Sequence, residues 1–421
     1  METRGAYISV KRISQAFFLA GVFLKQFYIF RSGSFQIGDA MLMLSMLMLL
    51  FVRDRDHVKA KRQDFWLIAF VACTVLINGI YVVIYGFSYT ADFHFHMSIL
   101  NYIYVLLVAL VFRQFCEDTV FLGRLRWVLQ AAVLFQFVVC VLNLRPRYAD
   151  VRFVGTFNDP NQCAFYLMSA FFLIYLISRI TGKGIPWIWY VPAFYCIIET
   201  SSTGMMLGLI VFLGLAVLLL VFGKSAKTGI ALVVLAAVIF STGVLVVTDR
   251  IRLADDYQET LMYQRFMGKL ASFGIEDGGS DELEMQRFVE DRSLEKLVKY
   301  PEKIFFGAGE GYYERLPASE SSIRQELHSS ILGPLFYYGV IPCAMWFLWT
   351  AIQLKGIKRE LWSVYLALIV ECFTLVNNRQ PFFWMIFVLA GSCLAKKHIQ
   401  EEREKEAPLS LAGMGAEGSC P

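Results

Sequence analysis

Apolar residues do not alternate along this chain; they run. Continuous hydrophobic stretches fall at 13–30, 37–52, 64–86, 98–115, 125–144, 161–179, 185–199, 203–222, 228–247, 329–354, 361–377 and 380–395. An upright helix needs about 20 apolar residues to cross the hydrocarbon core, so the pattern predicts about twelve membrane-spanning helices. Several runs are short, and these are extended by flanking residues or stop inside a protein-lined cavity. Continuous runs exclude a membrane β-barrel, whose strands alternate apolar and polar positions. The predicted fold is an all-α polytopic membrane protein. Helices one to nine occupy 1–247, a large polar loop 248–328, helices ten to twelve 329–396, and a tail 397–421. That tail is charged and then small and polar, which predicts disorder.

Lysine and arginine orient the helices. With the N-terminus inside, the inner set collects Arg4, Lys11, Arg12, the "RDRDHVKAKR" loop, Arg113, Arg124, Arg126, Arg179, Lys183, Lys224, Lys227, Lys355, Lys358 and Arg359, and the tail adds Lys396, Lys397, Arg403 and Lys405. The short outer loops hold little beyond Arg31, Arg145, Arg147, Arg152 and Arg379. The positive-inside rule therefore predicts both termini in the cytoplasm and 248–328 outside it. The first run follows Lys11 and Arg12 as a signal peptide would, but it has no small-residue cleavage site and contains Lys25, so it reads as a retained helix.

Composition agrees: hydrophobic residues make up 57% of the chain and charged residues 18%, too little polar surface to cover a soluble globule. The net charge of +4 reflects the loop asymmetry and implies no nucleic-acid partner, since no basic face interleaved with aromatics lies outside the apolar runs. Eight of the nine cysteines fall in or beside apolar runs. They read as small buried hydrophobes rather than a disulfide framework or metal site.

Within the large loop, "SDELEMQRFVEDRSLEKLVKYPEK" opens with Asp281 and Glu284 at capping-box spacing and stops at Pro301, a helix signature. The glycine-rich "FFGAGEGYYERLP" follows it. No strand precedes these glycines, so they read as a tight turn or a close backbone approach to a ligand rather than a nucleotide loop.

The topology gathers polar residues at one face. Asn158, Asp159 and Asn161 of "NDPN", Glu199, Ser201, Ser202 and Thr203 of "ETSST", Arg287, Arg292, His328, and Asn377, Asn378 and Arg379 of "NNRQ" all fall at outer helix ends or in outer loops. Bland alternatives stand beside each. Arg287 can pair with Glu284 and Asp291 along its helix, and Asn158 and Asn161 around Pro160 make a turn and cap. Arg145, Arg147 and Arg152 suit lipid headgroups. His94 and His96 form an isolated pair that suits interfacial packing better than metal. A carboxylate at a membrane boundary, such as Glu199, is rare unless paired or functional.

In order and spacing, "GTFNDPNQCA", "SSTGMMLGL", "MQRFVEDRSLEKLVKYPEKIFFGAG" and "HSSILGPLFYYGVI" resemble the O-antigen ligase and O-antigen polymerase superfamily, bacterial membrane glycosyltransferases of GT-C-like architecture. The resemblance covers most of the chain and is most specific over residues 150–395. It implies a bacterial inner-membrane enzyme and metal-independent transfer from an undecaprenyl-diphosphate-linked oligosaccharide to an acceptor glycan or glycolipid. It implies no cofactor, and a chain-length regulator as a partner. By residue type Arg287 matches the family arginine that grips the diphosphate, and His328 matches the family histidine, followed here by Ser329 rather than asparagine. Where many members have Ser-Arg-Thr-Gly this chain has Ser201-Ser202-Thr203-Gly204, so Arg145, Arg147, Arg152, Arg292 or Arg379 would supply the missing cation, or the donor is held differently.

The chemistry suits these residue types. A guanidinium stabilises charge developing on a departing diphosphate, and an imidazole accepts the proton of an attacking hydroxyl near neutral pH. Asn158, Asn161, Glu199 and Ser202 complete the expected substrate-binding set. A lipid-linked-sugar flippase is the rival of another class. A transporter, however, predicts clustered mid-membrane charges and an internal repeat, and the chain displays neither an evident repeat nor a cluster of mid-segment charges.

Overall fold

A backbone in lipid must satisfy its own hydrogen bonds, and a continuous apolar run does so as a helix. A computed structural model describes residues 10–30, 35–50, 60–85, 89–148, 152–184, 189–223, 293–317 and 326–394. The described chain is mostly helical. Its first eight helices are α1 (Val10–Leu24), α2 (Ile37–Leu50), α3 (Phe65–Tyr85), α4 (Tyr89–Phe115), α5 (Thr119–Val141), α6 (Pro160–Thr181), α7 (Tyr190–Glu199) and α8 (Thr203–Gly223). Two short helices follow, α9 (Glu295–Lys299) and α10 (Lys303–Phe306), and then α11 (Leu332–Tyr338), α12 (Val340–Leu354), α13 (Trp362–Cys372) and α14 (Pro381–Leu389).

Four helical stretches, Arg62–Tyr85, His94–Phe115, Thr119–Val141 and Pro160–Thr181, are long and apolar enough to cross a membrane. This is the signature of an all-α membrane protein. Five further apolar helices are shorter. The run expected at 329–354 is two helices rather than one, because Gly339 between them stands at φ 82°, a conformation glycine adopts without the penalty a side chain imposes. The expected helix at 228–247, the capping box at Asp281 and Glu284, and the tail 397–421 lie outside the described residues.

Short connectors make successive helices antiparallel, so the bundle has two distinct ends. At one end, Arg113 pairs with Asp64 at 2.7 Å and donates to Gln353 and Ser392. Lys61 pairs there with Glu117, and Arg124, Arg126, Arg179, Lys355, Lys358 and Arg359 lie at the same end. At the other end the connectors touch one another: Tyr28 N–H donates to Thr156 O at 3.0 Å, and Phe153 N–H to Glu199 O at 3.0 Å. The α1–α2 hairpin is clasped at that end by a buried pair, Lys25 with Asp39 at 2.7 Å, and Tyr104 on α4 donates to the same carboxylate. In the middle of the bundle runs α6, buried from Cys163 through Ser178.

Candidate functional site

Asp159 starts α6. Its carboxylate accepts from the N–H groups of Asn161 and Gln162, which satisfies donors that the first helical turn leaves open. With the cap supplied by Asp159, the Asn161 side chain is available elsewhere. Its Oδ1 accepts from Ser202 Oγ at 2.8 Å and from Arg152 Nη2 at 3.2 Å. Arg152 is held by a two-residue bridge with Tyr148, and its Nε donates to Thr200 O at 2.9 Å. Arg147 pairs with Glu199 at 2.8 Å, each about a quarter exposed at 27%, so the boundary carboxylate has its counterion. Five expected residues, Arg147, Arg152, Asn161, Glu199 and Ser202, thus form one patch. Arg145 and Asn158 are exposed beside it.

The second patch is built on glycines. The segment Gly307–Gly311 threads between α3, α4 and α11. Ala308 and Gly309 donate to the carbonyls of Phe336 and Tyr337 at 3.0 and 2.8 Å. A Cβ on Gly309 would sit 2.5 Å from the Tyr81 ring, and one on Gly311 would sit 2.8 Å from the backbone of His94. The close approach these glycines allow is made to the protein's own helices, where the sequence suggested a tight turn or a ligand. It carries Glu310 into the interior. Glu310 N–H donates to Asn78 Oδ1 at 2.8 Å, its carbonyl accepts from Ser98 Oγ at 2.6 Å, and Tyr338 donates to its carboxylate.

Arg379 meets that carboxylate. Its Nε donates to Glu310 Oε1 at 2.6 Å and its Nη2 to Tyr313 Oη at 2.8 Å, while Glu326 completes the cluster as a second ion pair. Partial burial works against the charge on Arg379, but the two carboxylates outweigh it and hold the guanidinium well above its usual pKa. Two carboxylates around one guanidinium leave this trio net negative.

His328, half-buried, follows Glu326 by two residues. The next residues are pinned: Ser330 N–H donates to Leu375 O at 2.9 Å, Ser330 Oγ to the same carbonyl at 2.7 Å, and Asn377 N–H to Ser330 Oγ at 2.6 Å. The same 372–379 turn reaches the first patch, since a Cβ on Gly204 would collide with the Thr374 side chain. "NDPN", "SSTG", "HSS" and "NNRQ" therefore meet at one end of the bundle, opposite the arginine-rich connectors. Arg287 and Arg292 lie outside the described residues.

Sequence reasoning passed over Glu310, Glu326, Tyr313 and Lys296. Lys296 is buried; burial, with repulsion from Arg315, pushes its ammonium down to about 8, against the pull of Glu326. Also passed over was Glu371, fully buried, with Asn377 donating to one oxygen and no hydrogen-bond partner on the other. The available signal was the acidic residue inside "GAGEG": glycines on both sides let a carboxylate be carried into packed surroundings. The chain matches no protein-family model and no curated protein.

Proposed function

We infer that the chain is a bacterial inner-membrane glycosyltransferase of GT-C-like architecture, with about twelve spanning helices and both termini cytoplasmic. Its donor is an oligosaccharide on undecaprenyl diphosphate, and its product is a longer O-antigen or exopolysaccharide chain. The supporting observation is the meeting of four separated segments, "NDPN", "SSTG", "HSS" and "NNRQ", at the end of the bundle away from its basic connectors. A lipid-linked sugar carries a polar head at the membrane surface and an apolar tail in the bilayer, and a polar helix-end cluster on an apolar bundle suits both.

In this reading the diphosphate is held by guanidinium groups. Arg152 is favoured because it lies beside Ser202 and shares Asn161 with it, where the family resemblance leads one to expect an arginine. Arg287 acts with it. Arg379 is engaged by Glu310 and Glu326 and serves better as a brace than as a phosphate ligand. His328 accepts the proton as the acceptor hydroxyl attacks. No metal takes part in this scheme.

The test is purified protein in liposomes given a lipid-linked donor. Elongated glycan supports polymerisation, transfer to a lipid A-core acceptor indicates a ligase, and movement between leaflets without new glycosidic bonds refutes the enzyme reading.

A further inference from the structure

Two phenylalanines end a short helix in what the sequence reads as an aqueous loop. Phe305 and Phe306 are 64% and 80% exposed, large apolar surfaces that a water-facing loop rarely displays. Their depth is fixed by two contacts. Tyr81 Oη donates to Gly307 O at 2.8 Å, and Tyr81 lies four residues before the end of α3, roughly one helical turn inside it. A Cβ on Gly339 would sit 2.5 Å from Phe305 O, so the backbone of Phe305 touches the junction of α11 and α12. The pair therefore runs level with the last turn of a helix long enough to span a membrane.

The surroundings continue the same surface. On α3, Val83 and Ile84 are 73% and 63% exposed, and on α12 Ile341 is 64% exposed. The first of these helices is long and apolar enough to span a membrane, and the second is a shorter apolar helix packed beside it. The exposed Lys299 and the half-buried Lys303, the latter 3.9 Å from Glu302, precede the phenylalanines, the arrangement of an interfacial segment with aromatics in the acyl boundary and ammonium groups near headgroup phosphates.

We propose that residues 299–306 form a membrane-interface anchor, with Phe305 and Phe306 inserted into bilayer phospholipid. The anchor requires only that α3 spans the membrane and is independent of glycosyl transfer. Its consequence is positional. Gly307–Gly311 follow directly, so the Glu310–Arg379 cluster is tied to the bilayer surface.

The full chain in phospholipid nanodiscs tests this, with p-benzoylphenylalanine replacing Phe306, Val83 or Glu314 one at a time. After irradiation, intact-protein mass spectrometry reads phospholipid adducts. Position 306 should give a yield comparable to position 83 and about tenfold above exposed position 314, as expected for a side chain within the acyl boundary. A yield at 306 no higher than at 314 while 83 labels, or adducts at 306 formed only with protein, overturns the anchor. Position 305 serves as the second site should the 306 variant lose its monodisperse elution.

Discussion

Replacing Arg379 by alanine should destabilise the protein through the carboxylates it leaves behind. The Glu310 side chain is only 3% exposed and Glu326 23%, and taking away one partner of a buried ion pair costs about 3–5 kcal/mol because the other charge remains desolvated. Glu310→Gln removes that charge while keeping an acceptor for Arg379, so Arg379→Ala in the Glu310→Gln background should cost about 1–3 kcal/mol less than alone. Unfolding entropy of about 2.1 cal/mol/K per residue, applied to a chain of 421 residues, makes each kcal/mol worth about 1 °C in the unfolding midpoint. Arg379→Ala should then lower the midpoint by about 3–5 °C, and Glu310→Gln should recover part of that loss. The cysteines suit the assay: Cys116, Cys140, Cys163, Cys196, Cys343 and Cys372 are buried, so a thiol-reactive dye reports their exposure as the protein is heated. Additivity within about 0.5 kcal/mol across the four proteins would refute the argument. It would release Arg379 from its role as brace and return it to the substrate-binding candidates.

His328→Ala should leave the unfolding midpoint nearly unchanged and lower turnover by about 10²–10⁴-fold, the loss typical of a general base; full-rate polymer synthesis by the variant in liposomes removes this residue from the mechanism. Arg152→Lys keeps a cation but loses the planar fork, and turnover should fall by about 10²–10³-fold if that fork meets developing diphosphate charge; unchanged kcat/KM would assign Arg152 to packing alone. Lys296 gives a pH signature. Its folded pKa lies below its unfolded value, so the unfolded chain binds more protons between about pH 8 and 10.4 and stability should rise with pH across that window. Lys296→Met should flatten the rise in a thermal scan, and an identical slope in both proteins would contradict the burial argument.

Hydropathy made the helices legible because each apolar run must solve its hydrogen bonding locally. It failed at Gly339, where one residue at φ 82° divides a run that is apolar throughout; the break is a backbone event that side-chain pattern does not encode. A cap around Pro160 was legible, though it was expected of Asn158 and Asn161 and is supplied by Asp159, and Glu199 was legible as a carboxylate needing a partner, since both follow from the unmet demands of a charged or polar group at a helix end. That Arg147 would be the partner depends on a connector folding back, which no spacing rule supplies. Glu310 and Glu326 escaped notice for a related reason. Acidic residues in a loop ordinarily read as solvated, and Glu310 is buried only because its neighbouring glycines let the backbone lie against Tyr81 and His94. Arg287, the arginine most clearly marked by sequence, lies outside the described residues.

The long reach of the buried hydrogen bonds has a consequence for biosynthesis. Asn78 on α3 bonds Tyr338 across 260 residues, Tyr102 on α4 bonds Asn378 across 276, and Arg113 bonds Ser392 across 279. Helices emerge from the ribosome in order, so α3 and α4 arrive in the bilayer bearing an amide and a phenol whose partners Tyr338 and Asn378 have not yet been translated, while the Arg113 guanidinium arrives with Asp64 and still awaits Gln353 and Ser392. Until they are, these groups must be shielded by water, lipid headgroups or an insertion factor, since an unmet polar group in hydrocarbon costs several kcal/mol. The late segments therefore act as the closing step of assembly, and a chain cut short before Asn378 would lack the amide that meets Tyr102 and the hydroxyl that Ser392 offers Arg113.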